Sequence, residues 1–233
     1  MQMNSTNKAE VEHREAVPID IEKGETAVAI EHNHHQQQQH GAVGHQKKVA
    51  NPLAIGFGAF GLASFVIGIT NTGIITNLPQ GALPVALGFG AMGQFIGGMG
   101  ELLLGNTFGG TSMLTYSGFF FSYGIMFSNS TGVFGALETN MTELENVIGL
   151  WQIAFCIPSF IFFFCTFKQP RLISLVLLQV FLTFFFGGVG ALTGVHGLTQ
   201  AGGWLSFTLA ITAWYVMAAM LLEEEKVVRL PFF

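Results

Sequence analysis

Six apolar segments follow a polar stretch that covers residues 1–48. The segments cover 52–70, 82–104, 107–128, 148–167, 172–198 and 202–222. Each is close to the roughly 20 residues that a helix needs to cross a bilayer. None alternates between apolar and polar positions over strand lengths, so the pattern predicts helices rather than barrel strands. The expected fold class is an all-α integral membrane protein with six transmembrane helices.

Two of the predicted connections are very short. Gly105-Asn106 separates the second and third segments, and residues 168–171 separate the fourth and fifth. Two helices that are joined by only two residues must run antiparallel and lie side by side. The pattern therefore predicts a tight helical hairpin at Gly105-Asn106.

The positive charges predict the orientation. All nine Lys and Arg residues lie in four places: the N-terminal stretch, Lys168, Arg171, and the C-terminal pair Lys226 and Arg229. With six spans and the N-terminus inside, all four places fall on the cytoplasmic side, as the positive-inside rule requires. The opposite side receives the loop 129–147, which carries acids, no cation and two sequons, at Asn129 and Asn140. Both termini are therefore predicted to be cytoplasmic.

The first 48 residues have too few apolar side chains to bury a core. We expect residues 1–48 to form a disordered polar cytoplasmic tail, residues 49–225 the transmembrane domain, and residues 226–233 a short C-terminal tail. A tract rich in His and Gln covers residues 32–40. It is interpreted as a low-complexity spacer, with transition-metal binding as the alternative.

The amino-acid composition and the motifs exclude several classes of function. The chain is 50% hydrophobic and 10% charged, with a formal net charge of -5. Without a basic stripe, no nucleic-acid partner is expected. The spans hold no nucleotide-binding loop, no Ser/His/Asp arrangement and no cluster of metal ligands, so we predict no enzyme, no cofactor and no metal site. Cys156 and Cys165 lie about 13 Å apart along one helix and are interpreted as packing residues.

Glu101 is the one charged residue between Lys48 and Glu138. A carboxylate deep in a bilayer is costly and usually marks an ion or proton path. The predicted orientation puts Glu101 about one turn from the cytoplasmic end of the second span, where interfacial water reduces that cost. It lies near a helix C-terminus, which disfavours negative charge. We therefore expect a hydrogen-bonding partner across the turn, either Asn106 or Thr107.

Sparse hydroxyl and amide groups on apolar helices are typical of a pore for a small polar solute. Thr111, Thr115 and Tyr116 in the third span are such groups. Asn51 precedes Pro52 at the start of the first span, so it is equally well explained as a helix cap. The free backbone N–H groups at the start of the third span favour an anion, although capping alone accounts for Asn106.

Two motifs resemble the acetate uptake transporter family, which includes bacterial succinate–acetate permeases and fungal acetate and ammonia transporters. The first is the run Asn51-Pro52-Leu53-Ala54-Ile55-Gly56-Phe57, which resembles the family signature N-P-A-P-L-G-L with Ala54 in place of the second proline. The second is Glu101-x-x-x-Gly105-Asn106-Thr107-Phe108-Gly109 followed by Thr115-Tyr116. The resemblance covers roughly residues 51–225.

The resemblance implies a six-helix protomer around its own pore, assembled as a hexamer. It also implies an apolar constriction, which the motifs place on Phe60 and Tyr116, with Val180 at the position of an aliphatic third member. Two rings and an aliphatic side chain pass a dehydrated small solute and exclude a hydrated ion. For Phe60 the alternative is one more lipid-facing phenylalanine. Asn51, Thr111 and Thr115 are the accompanying candidates for solute contacts, with Glu101 and Asn106 at the inner vestibule.

The leading functional hypothesis is transport of acetate and other short monocarboxylates, coupled to protons, across the plasma membrane. The expected partners are the carboxylate, the proton, the lipid bilayer and further copies of the chain. Ammonia or ammonium export is a second hypothesis that the resemblance allows. A membrane receptor or scaffold that signals through residues 1–48 is a third. His196, near the predicted external end of the fifth span, is interpreted as an interfacial residue rather than a proton relay.

Overall fold

The computed structural model describes residues 50–137 and 139–231. The predicted N-terminal tail and its histidine tract lie outside these residues. The C-terminal tail is described as far as Pro231, whose carbonyl oxygen accepts a hydrogen bond from Tyr215 at 2.9 Å. Arg229 pairs with Glu223 at 3.0 Å, and both side chains are more than half exposed. An ion pair this exposed contributes little to stability, about 0–1 kcal/mol.

The described residues form helices joined by turns and short irregular connections, and they contain no strand. All-helical architecture is therefore confirmed. Five of the six long helices in the described residues, all except the third, have the length and apolar composition to cross a membrane. The third long helix has 21 residues but is rich in Gly, Ser and Thr. The six long helices are α1 (Pro52–Thr72), α2 (Pro79–Leu103), α3 (Thr107–Phe127), α4 (Met141–Cys165), α5 (Arg171–Thr193) and α6 (His196–Glu224).

Local sequence signals explain where α1 begins and ends. The Asn51 side chain accepts a hydrogen bond from the Leu53 backbone N–H at 3.0 Å, and Pro52 occupies the first helical turn. This is the predicted cap. Gly73 ends the helix in the left-handed conformation, with φ of 73°, which costs glycine nothing.

The helix α2 is irregular in its first half. It begins with a 3₁₀ turn at Pro79–Ala82 and a short α stretch at Leu83–Val85, and continues as a π-helical stretch over Ala86–Ala91. At the end of that stretch the carbonyl of Ala91 accepts a hydrogen bond from the Ser117 hydroxyl at 2.9 Å. The wide turn thus ties α2 to α3, and π stretches of this kind occur often at functional sites.

Glycines let α1 approach its neighbours closely. A side-chain carbon on Gly97 of α2 would lie 3.1 Å from the Gly56 Cα and the Pro52 carbonyl oxygen of α1. One on Gly203 of α6 would lie 2.7 Å from the Thr72 backbone nitrogen. Small residues bring helix backbones together in this way in membrane proteins. As a result α1 packs closely between α2 and α6, and more than half of its residues are buried.

The helices α3 and α4 meet through aromatic side chains rather than close backbones. Trp151 stacks on Phe119 with ring centroids 4.6 Å apart, and its indole N–H donates to the Ser122 hydroxyl at 2.9 Å. This contact closes the arrangement on the side opposite α1. Because these side chains keep the backbones apart, space remains between the helices, and this space contains two cavities.

Two predicted boundaries are wrong. Residues 141–147 were assigned to a loop, but α4 begins at Met141, since Asn140 caps it by accepting from the Glu143 N–H at 3.3 Å. The fifth and sixth segments were divided after residue 198, whereas Gly194 ends α5 with φ of 67° and α6 begins at His196. The first error arises because the polar residues at the start of α4 have the composition of a loop. Cys156 and Cys165 are both free, as expected from their spacing.

Candidate functional site

Two cavities lie within the helix arrangement. The first has a volume of about 220 Å³ and is called here the His196 cavity. The second has a volume of about 110 Å³ and is called the Gln94 cavity. Polar groups line the His196 cavity at Ser64, Asn71, Asn77, Glu145, Gln152, Thr183, His196, Thr199 and Ser206. The polar residues that line the Gln94 cavity, among apolar side chains, are Gln94, Asn106, Ser112, Tyr116 and Gln169.

A layer of four aromatic rings lies between the two cavities. Phe60 and Tyr116 line the Gln94 cavity, whereas Phe120 and Phe184 line the His196 cavity. The Phe60 and Tyr116 ring centroids are 5.3 Å apart. Phe60 lies 5.9 Å from Phe120, and Tyr116 lies 6.4 Å from Phe184. These four residues, all buried, are called the ring layer.

The Tyr116 hydroxyl is held within this layer by α4. It donates a hydrogen bond to the Ser159 hydroxyl at 3.2 Å, and Ser159 in turn donates to the Phe155 carbonyl at 2.7 Å. A buried tyrosine usually needs such a partner. Ser159 was not among the candidates because it is 43 residues away in the chain, and no local pattern connects the two.

Val180 lies on α5 between the levels of the two cavities. It is 1% exposed. Val176 and Leu177, one turn before it, line the Gln94 cavity, and Phe184, one turn after it, lines the His196 cavity. Val180 therefore lies along α5 between residues that line the two cavities, but it lines neither cavity itself.

Three predicted solute contacts lie elsewhere. Asn51 is exposed and caps α1. Thr111 is also exposed, and the Thr115 hydroxyl donates back to the Thr111 carbonyl at 2.8 Å. Neither threonine is among the residues that line the two cavities. Each residue of an α-helix is rotated by about 100° from the one before. Ser112 and Tyr116 therefore face the Gln94 cavity, while Thr111 and Thr115 face away from it.

Glu101 is buried at the end of α2 and is bonded across the turn. It is 4% exposed, and its carboxylate accepts a hydrogen bond from the Asn106 side-chain amide. The Asn106 Oδ1 atom accepts from the Gly109 N–H at 3.0 Å and so caps α3. Of the two expected partners, Asn106 is the one observed. One asparagine therefore holds the Glu101 carboxylate, caps α3 and lines the Gln94 cavity.

Replacing Asn106 with alanine should destabilise the protein by about 2 kcal/mol, because the change removes a helix cap and leaves a buried carboxylate without its partner. Asn51→Ala is the matched control, since Asn51 caps α1 but supports no other side chain. Thermal unfolding of both variants in detergent measures the difference. Equal losses of stability in the two variants would contradict this role of Asn106.

Two titratable residues of the His196 cavity come from the ends of different helices. Glu145 lies in the first turns of α4, and His196 is the first residue of α6. Both line the same cavity although they are 51 positions apart in the sequence. His196 is exposed, so the interfacial interpretation agrees with its position, but its part in lining a cavity was not predicted.

Comparison with known proteins assigns the chain to a family. Residues 35–232 match the model of the GPR1/FUN34/yaaH family. The chain belongs to the GPR1/FUN34/yaaH family. The family predicted from the motifs around Asn51 and Asn106 is therefore confirmed.

Several members of the GPR1/FUN34/yaaH family resemble this chain over most of its length. Accumulation of dyads protein 2 and ammonia transport outward protein 2 of Saccharomyces cerevisiae are 34% and 31% identical to it. Acetate permease A of Emericella nidulans is 31% identical. In each case the match covers 72% of this chain and 60% of the relative. The chain thus spans about three fifths of the length of these curated relatives.

A solved structure shows the fold that this GPR1/FUN34/yaaH member shares. It is described as the bacterial acetate channel SatP, and it superposes with a TM-score of 0.68 at 22% identity. The match covers 80% of this chain and all of the other. The all-α integral membrane class is therefore confirmed. Three of the four named proteins are described as a permease, a channel and a transport protein, and none of the four is described as an enzyme.

Proposed function

We propose that this chain forms a membrane pore for acetate and other short monocarboxylates, and that each molecule crosses with a proton. The observation that carries the proposal is the pair of cavities on opposite sides of the ring layer. A row of rings admits a small dehydrated solute, whereas a hydrated ion loses too much solvation to pass. Phe60, Tyr116 and Val180 are the proposed gate.

The relatives support acetate as the solute. Both acetate permease A and the SatP channel are named for acetate. The fold shared with the SatP channel supports six spans, with α3 as the sixth. The positions of the Lys and Arg residues support cytoplasmic termini, and the plasma membrane is the proposed location. A homo-oligomer, a hexamer by the family resemblance, completes the proposal. In that assembly the outward-facing Thr111 and Thr115 of α3 lie on the side of the protomer away from its own pore.

The deciding experiment is uptake of labelled acetate by liposomes that contain the purified full chain. We expect saturable uptake above that of empty liposomes, accelerated when the outside is more acidic than the inside. Uptake no greater than that of empty liposomes would refute a transport function. In a strain that expresses the chain, deletion of residues 1–45 should leave uptake intact. If the full chain gives no uptake and the deletion abolishes a signalling response, the receptor or scaffold hypothesis is favoured.

Glu101 is the proposed proton-related residue of the inner vestibule. Glutamine at this position keeps an acceptor for Asn106 but cannot ionise, so Glu101→Gln should preserve folding, reduce uptake and alter its pH dependence. The measurement is initial uptake rate against external pH in the same liposomes. A pH profile identical to that of the original protein would remove Glu101 from proton coupling and leave it a structural role.

Ammonia or ammonium transport is the second candidate, favoured by the similarity to ammonia transport outward protein 2. The described spans contain no pair of histidines that would serve as a proton relay, and His196 is exposed at a helix end. Competition separates the two candidates. Acetate uptake that propionate and formate inhibit favours the carboxylate pore, whereas uptake that only ammonium inhibits favours the alternative.

A further inference from the structure

Gln94 carries a buried acceptor that no neighbour uses. Its side chain is 2% exposed and lines the Gln94 cavity next to the ring layer. The amide nitrogen donates to the Gly56 carbonyl of α1 at 2.7 Å. The amide oxygen has no hydrogen-bond partner among the described residues. An unsatisfied buried acceptor costs about 1–3 kcal/mol, so this oxygen is suited to a donor that arrives in the cavity.

The orientation of this amide follows from its partner. A carbonyl oxygen only accepts, so the group that faces the Gly56 carbonyl must be the NH₂ of Gln94. Turning the amide over would bring two oxygens together at 2.7 Å. The atom without a partner is therefore Oε1, so Gln94 presents a hydrogen-bond acceptor to the cavity rather than a donor.

Apart from the exposed Gln169, the other polar groups of the Gln94 cavity are poorly suited to an anion. The Ser112 hydroxyl donates to the Gly109 carbonyl at 3.1 Å, and the Tyr116 hydroxyl donates to Ser159. The Asn106 amide donates to Glu101. Of the described residues that line this cavity, none is a lysine or an arginine. A carboxylate anion would leave water for a small apolar space without a cation, which is expensive.

We propose that Gln94 recognises the undissociated acid, a refinement that rests on the proposed function. The hydroxyl of a protonated monocarboxylic acid donates to Gln94 Oε1, and its alkyl group lies against the apolar wall formed by Leu53, Phe57 and Met113. The proton stays on the acid as it reaches Tyr116 and the ring layer. No bond is made or broken in this step, and no charge moves through the rings.

Removing the acceptor tests this role directly. Gln94→Met keeps the length of the side chain but not its oxygen, and uptake should fall about fivefold, the equivalent of one ordinary hydrogen bond. Gln179→Met is the matched control. Gln179 also has a buried amide oxygen without a partner, and its nitrogen donates to Thr208 at 3.2 Å, but it does not line the Gln94 or the His196 cavity. Unchanged uptake in Gln94→Met, or an equal fall in Gln179→Met, would overturn the proposal.

Competitors test the same chemistry in the unaltered protein, so the result does not depend on whether a variant folds. Acetamide is neutral and presents N–H donors to Gln94, whereas methyl acetate has a similar shape and no donor. Acetamide should inhibit acetate uptake, and methyl acetate should not. Equal inhibition by both compounds, or none by acetamide, would overturn recognition by the acceptor.

Membrane potential shows whether net charge crosses with the solute. With potassium gradients and valinomycin setting the potential, uptake of an undissociated acid is insensitive to the voltage. At fixed total acetate, uptake should fall about tenfold per pH unit well above the pKa of the acid. Uptake that rises when the interior is made positive would show anion flow and refute this inference, while leaving acetate transport intact. Absence of any uptake above that of empty liposomes would instead refute the proposed function.

Discussion

Substituting alanine for Tyr116 is expected to let longer monocarboxylates through. Tyr116 contacts Phe60 and Phe184, and also stands 6.0 Å from Phe162, so its loss opens the ring layer over the width of one aromatic side chain. A pocket that discriminates by size gains or loses about tenfold per methylene, so the butyrate-to-acetate uptake ratio should rise at least about tenfold. Parallel uptake of the two labelled acids in liposomes measures this ratio.

Tyr116→Phe and Thr115→Ala are the controls for this experiment. Phenylalanine keeps the ring and removes only the hydrogen bond to Ser159, whose own hydroxyl still donates to Phe155. Thr115 is the preceding residue and does not line either cavity. Both variants should retain the original ratio. If Tyr116→Ala also retains it, the tyrosine is a packing residue and the gate lies elsewhere.

Replacing Gly203 with alanine is expected to cause the largest loss of stability. A methyl group at this position would lie 2.7 Å from the Thr72 nitrogen and 2.9 Å from the Asn71 carbonyl carbon and the Gly68 carbonyl oxygen. All three atoms belong to the backbone of α1, which cannot rotate away as a side chain can. The methyl group would force α1 and α6 apart, which should lower the free energy of unfolding by about 3 kcal/mol, at the upper end of the range for overpacked interiors.

Gly197→Ala is the matched control in the same helix. Apart from its chain neighbours and the nearby backbone of α6, no atom lies within 4 Å of the position that its methyl group would occupy. Alanine is favoured over glycine in a helix by up to about 1 kcal/mol, so this variant should be as stable as the original protein or slightly more stable. Unfolding midpoints in detergent should therefore move in opposite directions for the two substitutions. A shift of the same sign would show that α1 and α6 adjust more easily than their contact suggests.

Interactions between residues near each other in the sequence were predictable. The Asn51 cap, the hairpin at Gly105-Asn106 and the partner of Glu101 depend on contacts across at most five positions. The family motifs led to Phe60 and Tyr116, whose rings are in contact. In each case a short run of residues contained both members of an interaction, or a known signature located them.

Residues that depend on helix rotation were not predictable. Thr111 and Ser112 are neighbours of similar polarity, yet Ser112 lines a cavity and Thr111 is exposed. Hydrophobicity does not separate the two faces of α3, because apolar side chains cover it on all sides. A helix in lipid needs no polar outer face, so the amphipathic pattern that orients soluble helices is missing.

The amino-acid sequence by itself determined that this protein is helical, where most of its helices begin and end, and how its second and third helices turn. It could do so because apolar length, caps and glycine turns act within a few residues. Only the tertiary structure decided that Gln94, Ser159 and Phe184 lie together with Phe60 and Tyr116 at the ring layer and the cavity beside it. These five residues lie on five helices, and only packing between the helices determines which side chains meet.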